Sequence, residues 1–213
     1  MKTVSLWALA AFFPVFASAQ FSVGLTGTLN LPHADFREFV GVGASVELNG
    51  RYPLSRRFFL DAALSYTNFD SKEIGYVFYL EYSTVEIAFG PRRWEYYGIA
   101  VGGGYRFLPN TTLNPYAGLD VGYMIGYREV EQVEVRFGVN RIWKASGPVS
   151  YAVIVPKFGF SVPLSSRLRL EPAVRYNFNF KSHLPDSHTI WGSDHPRHDL
   201  FLQLAIGLYA TLR

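Results

Sequence analysis

Asp199-Leu200-Phe201-Leu202-Gln203-Leu204-Ala205-Ile206-Gly207-Leu208-Tyr209-Ala210-Thr211-Leu212 changes character at every second residue. The even positions, from Leu200 to Leu212, are aliphatic. The odd positions hold Asp199, Phe201, Gln203, Ala205, Gly207, Tyr209 and Thr211. A helix gathers every third or fourth residue on one face, whereas an extended strand sends successive side chains to opposite faces. Only the strand sorts this stretch into two surfaces. The preceding segment does the same: Leu168, Leu170, Pro172, Val174, Tyr176, Phe178 and Phe180 oppose Arg167, Arg169, Glu171, Ala173, Arg175, Asn177 and Asn179.

Six earlier stretches share this period of two. Their apolar faces run Phe21/Val23/Leu25/Leu29, Val40/Val42/Ala44/Val46/Leu48, and Phe58/Leu60/Ala62/Leu64/Tyr66. The later three are Tyr97/Ile99/Val101/Tyr105/Phe107, Ala117/Leu119/Val121/Tyr123/Ile125/Tyr127 and Ile154/Phe158/Phe160/Val162. Between them, Pro53-Leu54-Ser55-Arg56, Leu108 to Thr112 and Pro163-Leu164-Ser165-Ser166 are short turns that resemble one another. The other connections are long: 31–39, 70–93, 129–149 and 181–198. Three short turns and four long loops make eight antiparallel strands, with both ends of the domain on the short-turn side. Tyr76 to Phe89 is strand-like but loses alternation near Ser83; it reads as a hairpin protruding from the second loop. The alternative makes it a barrel strand, with Val133-Val135-Phe137-Val139 as another, for ten strands. Pro156 and Pro172 each remove a ladder donor, and a turn centred near Leu164 would set them almost opposite, so a local bulge is expected there.

Period alone does not say which face is inside. A soluble lipocalin-like barrel would turn its aliphatic face inward around a ligand. Three features favour the inverse, a transmembrane up-and-down barrel: aliphatic rows ending in Tyr and Phe, an opposite face mixing Gly and Ser with both charge signs, and connections of unequal length. Composition fits, with 49% hydrophobic, 17% aromatic and only 17% charged residues. The net charge of +3 is scattered, which is no footprint for nucleic acid. Residues 1–19 read as a signal peptide. Lys2 precedes an apolar run from Leu6 to Phe16, and Ala17-Ser18-Ala19 sets cleavage between Ala19 and Gln20. That leaves a barrel domain over 20–213, exported and free of cysteine.

Asn114-Pro115-Tyr116-Ala117-Gly118-Leu119-Asp120-Val121-Gly122-Tyr123 resembles the turn-to-strand stretch of the small Gram-negative outer-membrane barrels of the OmpA and OmpX type. Leu204-Ala205-Ile206-Gly207-Leu208-Tyr209 is similar to that family's closing strand. The resemblance implies an outer-membrane location, lipid and lipopolysaccharide as surroundings, and insertion by the barrel-assembly machinery. Members commonly end on an aromatic residue, whereas this sequence ends Leu212-Arg213, with no peptidoglycan-binding domain expected to follow.

Glu47, Arg51, Asp61, Arg106, Asp120, Lys157, Arg169, Glu171 and Arg175 fall on the polar face and are expected to form a lumen network, with Lys157 beside Glu171 or one rung away. A gated pore is one reading of these charges; a barrel of eight strands filled by its own side chains is the preferred one. His183, His188, His195 and His198 lie close together with Asp186, Asp194 and Asp199, the ligand types of a transition-metal site but at loose spacing. Ser182-His183 and Ser187-His188, near Asp186, are the candidates for a lipid A-modifying enzyme, though a nucleophile needs a base and an orienting third group in reach. The sequence contains no phosphate loop, nucleotide fingerprint or catalytic carboxylate pair, and implies no cofactor. The expectation is a non-enzymatic scaffold whose long loops serve surface interaction or membrane integrity. An extracellular partner would meet Tyr76, Phe78, Tyr79, Tyr82, Trp94 and Trp191. A lipid A-modifying enzyme, a small porin and a soluble lipocalin-like binder are the alternatives.

Overall fold

Each of the eight alternating segments is a strand in the computed structural model, which describes residues 21–34, 36–72, 74–80, 83–89, 93–109, 111–136, 139–181 and 198–212. The strands are β1 (Ser22–His33), β2 (Val40–Pro53), β3 (Phe58–Ser71), β4 (Ile74–Leu80), β5 (Ser83–Phe89), β6 (Arg93–Arg106), β7 (Asn114–Arg136), β8 (Val139–Pro163), β9 (Leu168–Lys181) and β10 (His198–Thr211). A single helical turn, α1 (Phe36–Phe39), lies between β1 and β2.

Eight of these strands, β1-β2-β3-β6-β7-β8-β9-β10, pair antiparallel with their neighbours, and β10 pairs back onto β1 from Ser22↔Thr211 to His33↔Leu200. The result is a closed eight-stranded up-and-down barrel with no free sheet edge around its body. β4 and β5 form the protruding hairpin. β5 leans on β7 through Glu86↔Val135 to Phe89↔Gln132, beyond the part of β7 that pairs with β6. The ten-strand alternative therefore does not hold.

The turns explain their shared sequence. Leu54 and Ser55 donate backbone hydrogen bonds to the Phe58 carbonyl at 3.0 and 3.1 Å, and Leu164 and Ser165 do the same to Leu168 at 2.8 and 3.1 Å. In both, the serine hydroxyl accepts from the backbone two and three residues on, Arg57 and Phe58 or Arg167 and Leu168. The register set by the second turn opposes Lys157 to Arg175, because the turn centres on Ser166 and not on Leu164. The ladder skips from Ile154↔Phe178 to Lys157↔Arg175 around Pro156, and from Gly159↔Ala173 to Val162↔Leu170 around Pro172, without a change of register. The expected bulge is absent, since each proline costs local bonds but inserts no residue.

Two further readings are corrected. Residues 129–149 are no irregular loop: β7 and β8 stay in one unbroken register from Asn114↔Ser161 to Arg136↔Val139. Val40 leaves the outward row, because one extra residue between Val40 and Gly43 shifts β2 against β3 and flips its alternation. Val40 is fully buried beneath α1 with Phe36.

The aliphatic face points outward. Leu25, Leu64, Ile99, Val101, Leu119 and Ile206 are all exposed, the last at 62%. Rings border this band at both ends. Phe58, Tyr105 and Phe107 pack edge to face on the turn side, with centroids 5.1 and 5.4 Å apart. On the loop side Tyr97 packs against Tyr66 at a tilt, with centroids 5.2 Å apart, and edge to face against Tyr127 at 5.9 Å. Tyr97 and Phe107 lie ten residues apart, roughly 33 Å along the strand and roughly 24 Å along the axis at a tilt near 45°. No helix among the described residues is long and apolar enough to cross a membrane.

Candidate functional site in the barrel interior

Inward positions follow from strand parity, and three layers fill them. Nearest the short turns, Arg51 of β2 faces its cross-strand neighbour Asp61 of β3. Its Nε donates to Asp61 Oδ1 at 2.7 Å and its Nη2 to Oδ2 at 3.2 Å, while Nη1 reaches both Glu171 oxygens at 2.7 and 2.6 Å. Glu171 belongs to β9, so this guanidinium ties opposite walls together. The rings of Phe59 and Tyr209 flank it at 4.2 and 4.6 Å. Lys157 Nζ donates to Asp61 Oδ2 at 2.7 Å and to Asp120 Oδ1 and Oδ2 at 2.6 and 2.8 Å. A continuous relay, Glu171–Arg51–Asp61–Lys157–Asp120, thus joins β9, β2, β3, β8 and β7. Arg175 donates to Glu47 beside it. Charge-assisted bonds of this kind are short and geometrically specific, and in a dry interior each ion depends on its partners.

Seven of the nine residues picked from the polar face therefore meet one another. Lys157 does not meet Glu171: the register sends it to the two aspartates instead. Arg106 and Arg169 stay outside the relay, their side chains making neither hydrogen bond nor ion pair to any described residue; the Arg106 guanidinium lies 5.0 Å from the Phe59 ring centre.

Above the ions sits an uncharged polar layer. Gln203 donates to Asn30 at 2.9 Å, Asn30 donates to Ser45 at 2.6 Å, and Ser45 shares a bond with Thr67 at 2.7 Å. Asn49 donates to Thr26 at 2.9 Å. These residues lie on four adjacent strands, β10, β1, β2 and β3, so the belt continues around that wall. Space remaining among Glu47, Asp120, Met124, Arg175 and Gln203 is about 40 Å³, room for a few waters at most.

The loop-side layer is apolar, which the sequence reading missed. Phe36 of α1 drops into the mouth and packs against Phe69, Trp94 and Phe201 with centroids 5.1, 5.7 and 6.4 Å apart. Val40, Tyr96, Met124, Tyr151, Val153 and Val155 complete the cluster, and Tyr96 donates its hydroxyl to Asp199 at 2.9 Å. Trp94 is thus an interior residue at 2% exposure, not a surface ring available to a partner. The available signal was the aromatic residues on the inward parity: Phe69, Tyr96, Tyr151 and Phe201.

His198 opens β10, its backbone opposite Phe180. His183, His188 and His195, like Ser182, Asp186 and Ser187, lie outside the described residues, as do Ala19 and Gln20. No cluster of metal-ligating side chains occurs among the described residues.

No protein-family model and no curated protein matches the chain. Its fold does match solved structures. Neisserial surface protein A is 13% identical with a TM-score of 0.54, covering 90% of this chain and 97% of its own. A major outer membrane protein from Thermus thermophilus is 12% identical with a TM-score of 0.55, covering 92% of this chain and 100% of its own. At these identities the likeness is one of fold: the chain has the architecture of small outer-membrane barrels.

Proposed function

We propose that this protein is a non-enzymatic integral outer-membrane barrel, exported by a cleaved signal peptide, with a sealed interior and a tall loop-side rim for surface contact. The observation that carries the reading is the inverted distribution of side chains. A soluble barrel hides its aliphatic rows, whereas here Leu25, Leu64, Ile99 and Ile206 stand on the outside of a closed barrel between two rows of rings. An exposed apolar band of this extent has no stable home in water. In a bilayer it meets acyl chains while the rings sit at the headgroups. Its neighbours would then be outer-membrane lipid and lipopolysaccharide, and its insertion the work of the barrel-assembly machinery.

The tightly filled interior favours a scaffold over a pore. Function then falls to the loop side, where β7 and β8 are about twice as long as the 9–11 residues a membrane strand needs. With the β4–β5 hairpin leaning on β7, they form a paired-strand platform suited to an extracellular partner or a surface glycan.

The test is fractionation followed by gel electrophoresis with and without boiling. A closed membrane barrel stays in the outer-membrane fraction and its unheated form runs faster. Recovery in the soluble periplasm with no shift would overturn the proposal. Stepwise ion conductance of nanosiemens size in planar bilayers would overturn the sealed interior.

A further inference from the structure

The turn-side mouth of the barrel is a basic cup. A cavity of about 360 Å³ opens there, lined by Arg51, Arg56, Arg106 and Arg169, with Ser22 and Thr211 among its polar wall residues and no aspartate or glutamate. Arg51 is spoken for by Asp61 and Glu171. The other three guanidiniums have no carboxylate partner among the described residues. Arg106 is the telling one: it is only 7% exposed, and its Nε is buried without a hydrogen-bond acceptor among the described residues. A buried guanidinium left without acceptors is costly.

Counting charges sharpens the point. The ions of the turn-side layer comprise four carboxylates (Glu47, Asp61, Asp120, Glu171) and three paired cations (Arg51, Lys157, Arg175), one negative charge in surplus, while a fifth buried carboxylate, Asp199, lies in the loop-side layer. Arg56, Arg106 and Arg169 add three positive charges at the mouth, which leaves two unmatched. We infer that this cup binds a phosphate-class anion, held by Arg106 and Arg169 from the barrel wall and by Arg56 from the β2–β3 turn. A phosphate offsets the two surplus charges, and its tetrahedral oxygens suit the planar forks of several arginines at once. A single chloride would satisfy only one of them. The anion is either inorganic phosphate from the aqueous phase, whose dianion offsets both charges, or a phospholipid headgroup at the barrel rim, whose phosphodiester offsets one. This site does not depend on what the loop side binds, and it is read by a different assay from the gel shift.

The experiment is calorimetric titration of the full-length protein, folded in a phosphate-free maltoside detergent, with inorganic phosphate and with chloride at matched ionic strength. One saturable phosphate site with no chloride counterpart is expected. Arg106→Gln and Arg169→Gln should each weaken it about tenfold or more, since each removes a charge-assisted contact. Arg56 lies on an exposed turn, so Arg56→Gln keeps the fold and should weaken binding in the same direction; it carries the test should Arg106→Gln fail to fold. Repeating the titration in phosphatidylglycerol nanodiscs identifies the source. Phosphate binding retained there points to a soluble anion, and binding suppressed there points to the headgroup. No saturable phosphate binding up to about 10 mM, or unchanged affinity in the Arg56→Gln/Arg169→Gln double variant, overturns the inference.

Discussion

Replacing Arg51 by methionine removes one of the two ion pairs that join β2 to β9 across the lumen, the other being Arg175–Glu47. The variant keeps most of the volume and the contact with Phe59, so the loss is electrostatic. Asp61 retains Lys157 at 2.7 Å. Glu171 loses its only ion pair among the described residues, to Arg51 at 2.6 Å, and its side chain is 2% exposed. Stranding a buried carboxylate in this way costs about 3–5 kcal/mol. With a urea dependence of about 2 kcal/mol per molar, the unfolding midpoint should fall by roughly 2 M. Removing both partners is a different matter, because neither is then left unsatisfied. Arg51→Met/Glu171→Leu should recover most of the loss, giving a coupling energy of about 2 kcal/mol or more in the double-mutant cycle. The assay is equilibrium unfolding in lipid vesicles, read as the fraction of protein in the fast-migrating unheated band. A loss under about 1 kcal/mol in the single variant, or a double variant no more stable than the single, would refute the view that Glu171 depends on this guanidinium.

Ile206→Arg, in the middle of the outward band, should cost about 2–4 kcal/mol in lipid vesicles and lower the yield of folded barrel; a neutral effect would point to water outside the barrel. Gly122→Ala should destabilise by about 1–3 kcal/mol, because an added Cβ would sit 2.3 Å from the Ile99 carbonyl oxygen, which the ladder holds in place. Gly27→Ala meets nothing within 4 Å and should stay within about 0.5 kcal/mol of wild type in the same unfolding assay. Phe36→Ala empties the centre of the loop-side cluster and should cost about 3–5 kcal/mol, with a red shift of tryptophan emission as Trp94 loses its covering ring.

The legible part of this molecule is whatever repeats locally. Period two located all eight barrel strands, and the likeness of Pro53-Leu54-Ser55 to Pro163-Leu164-Ser165 put their turns on one side. Both are properties of consecutive residues. Contacts across the lumen are not, because they depend on the stagger accumulated from strand to strand. A shift of two residues in the turn centre was enough to move Lys157 from Glu171 to Asp61 and Asp120. Val40 escaped for a related reason: a one-residue bulge reverses inside and outside, and the Gly41-Val42-Gly43 stretch gives no sign of it. The apolar upper layer was hidden because Phe69, Trp94, Tyr96, Tyr151 and Phe201 are scattered over four different strands. No single segment looks like a core; one exists only once the barrel has closed.

The seam between β1 and β10 sets the order of assembly. Every other barrel ladder joins strands that follow one another in the chain, or are separated only by the β4–β5 hairpin. The seam pairs Ser22 with Thr211, 189 residues apart, against 47 for Asn114 and Ser161 at the far end of the β7–β8 ladder. Closing that longer loop adds about 1 kcal/mol of chain entropy, and the seam's bonds become available only when the intervening strands have formed. Hairpins should therefore zip first and the seam last. Until it shuts, β1 and β10 both present rows of unpaired backbone donors and acceptors, which hydrocarbon cannot satisfy. The half-built sheet is thus the vulnerable species in this protein's life, and on the proposed location sealing the seam is the step that commits it to the bilayer.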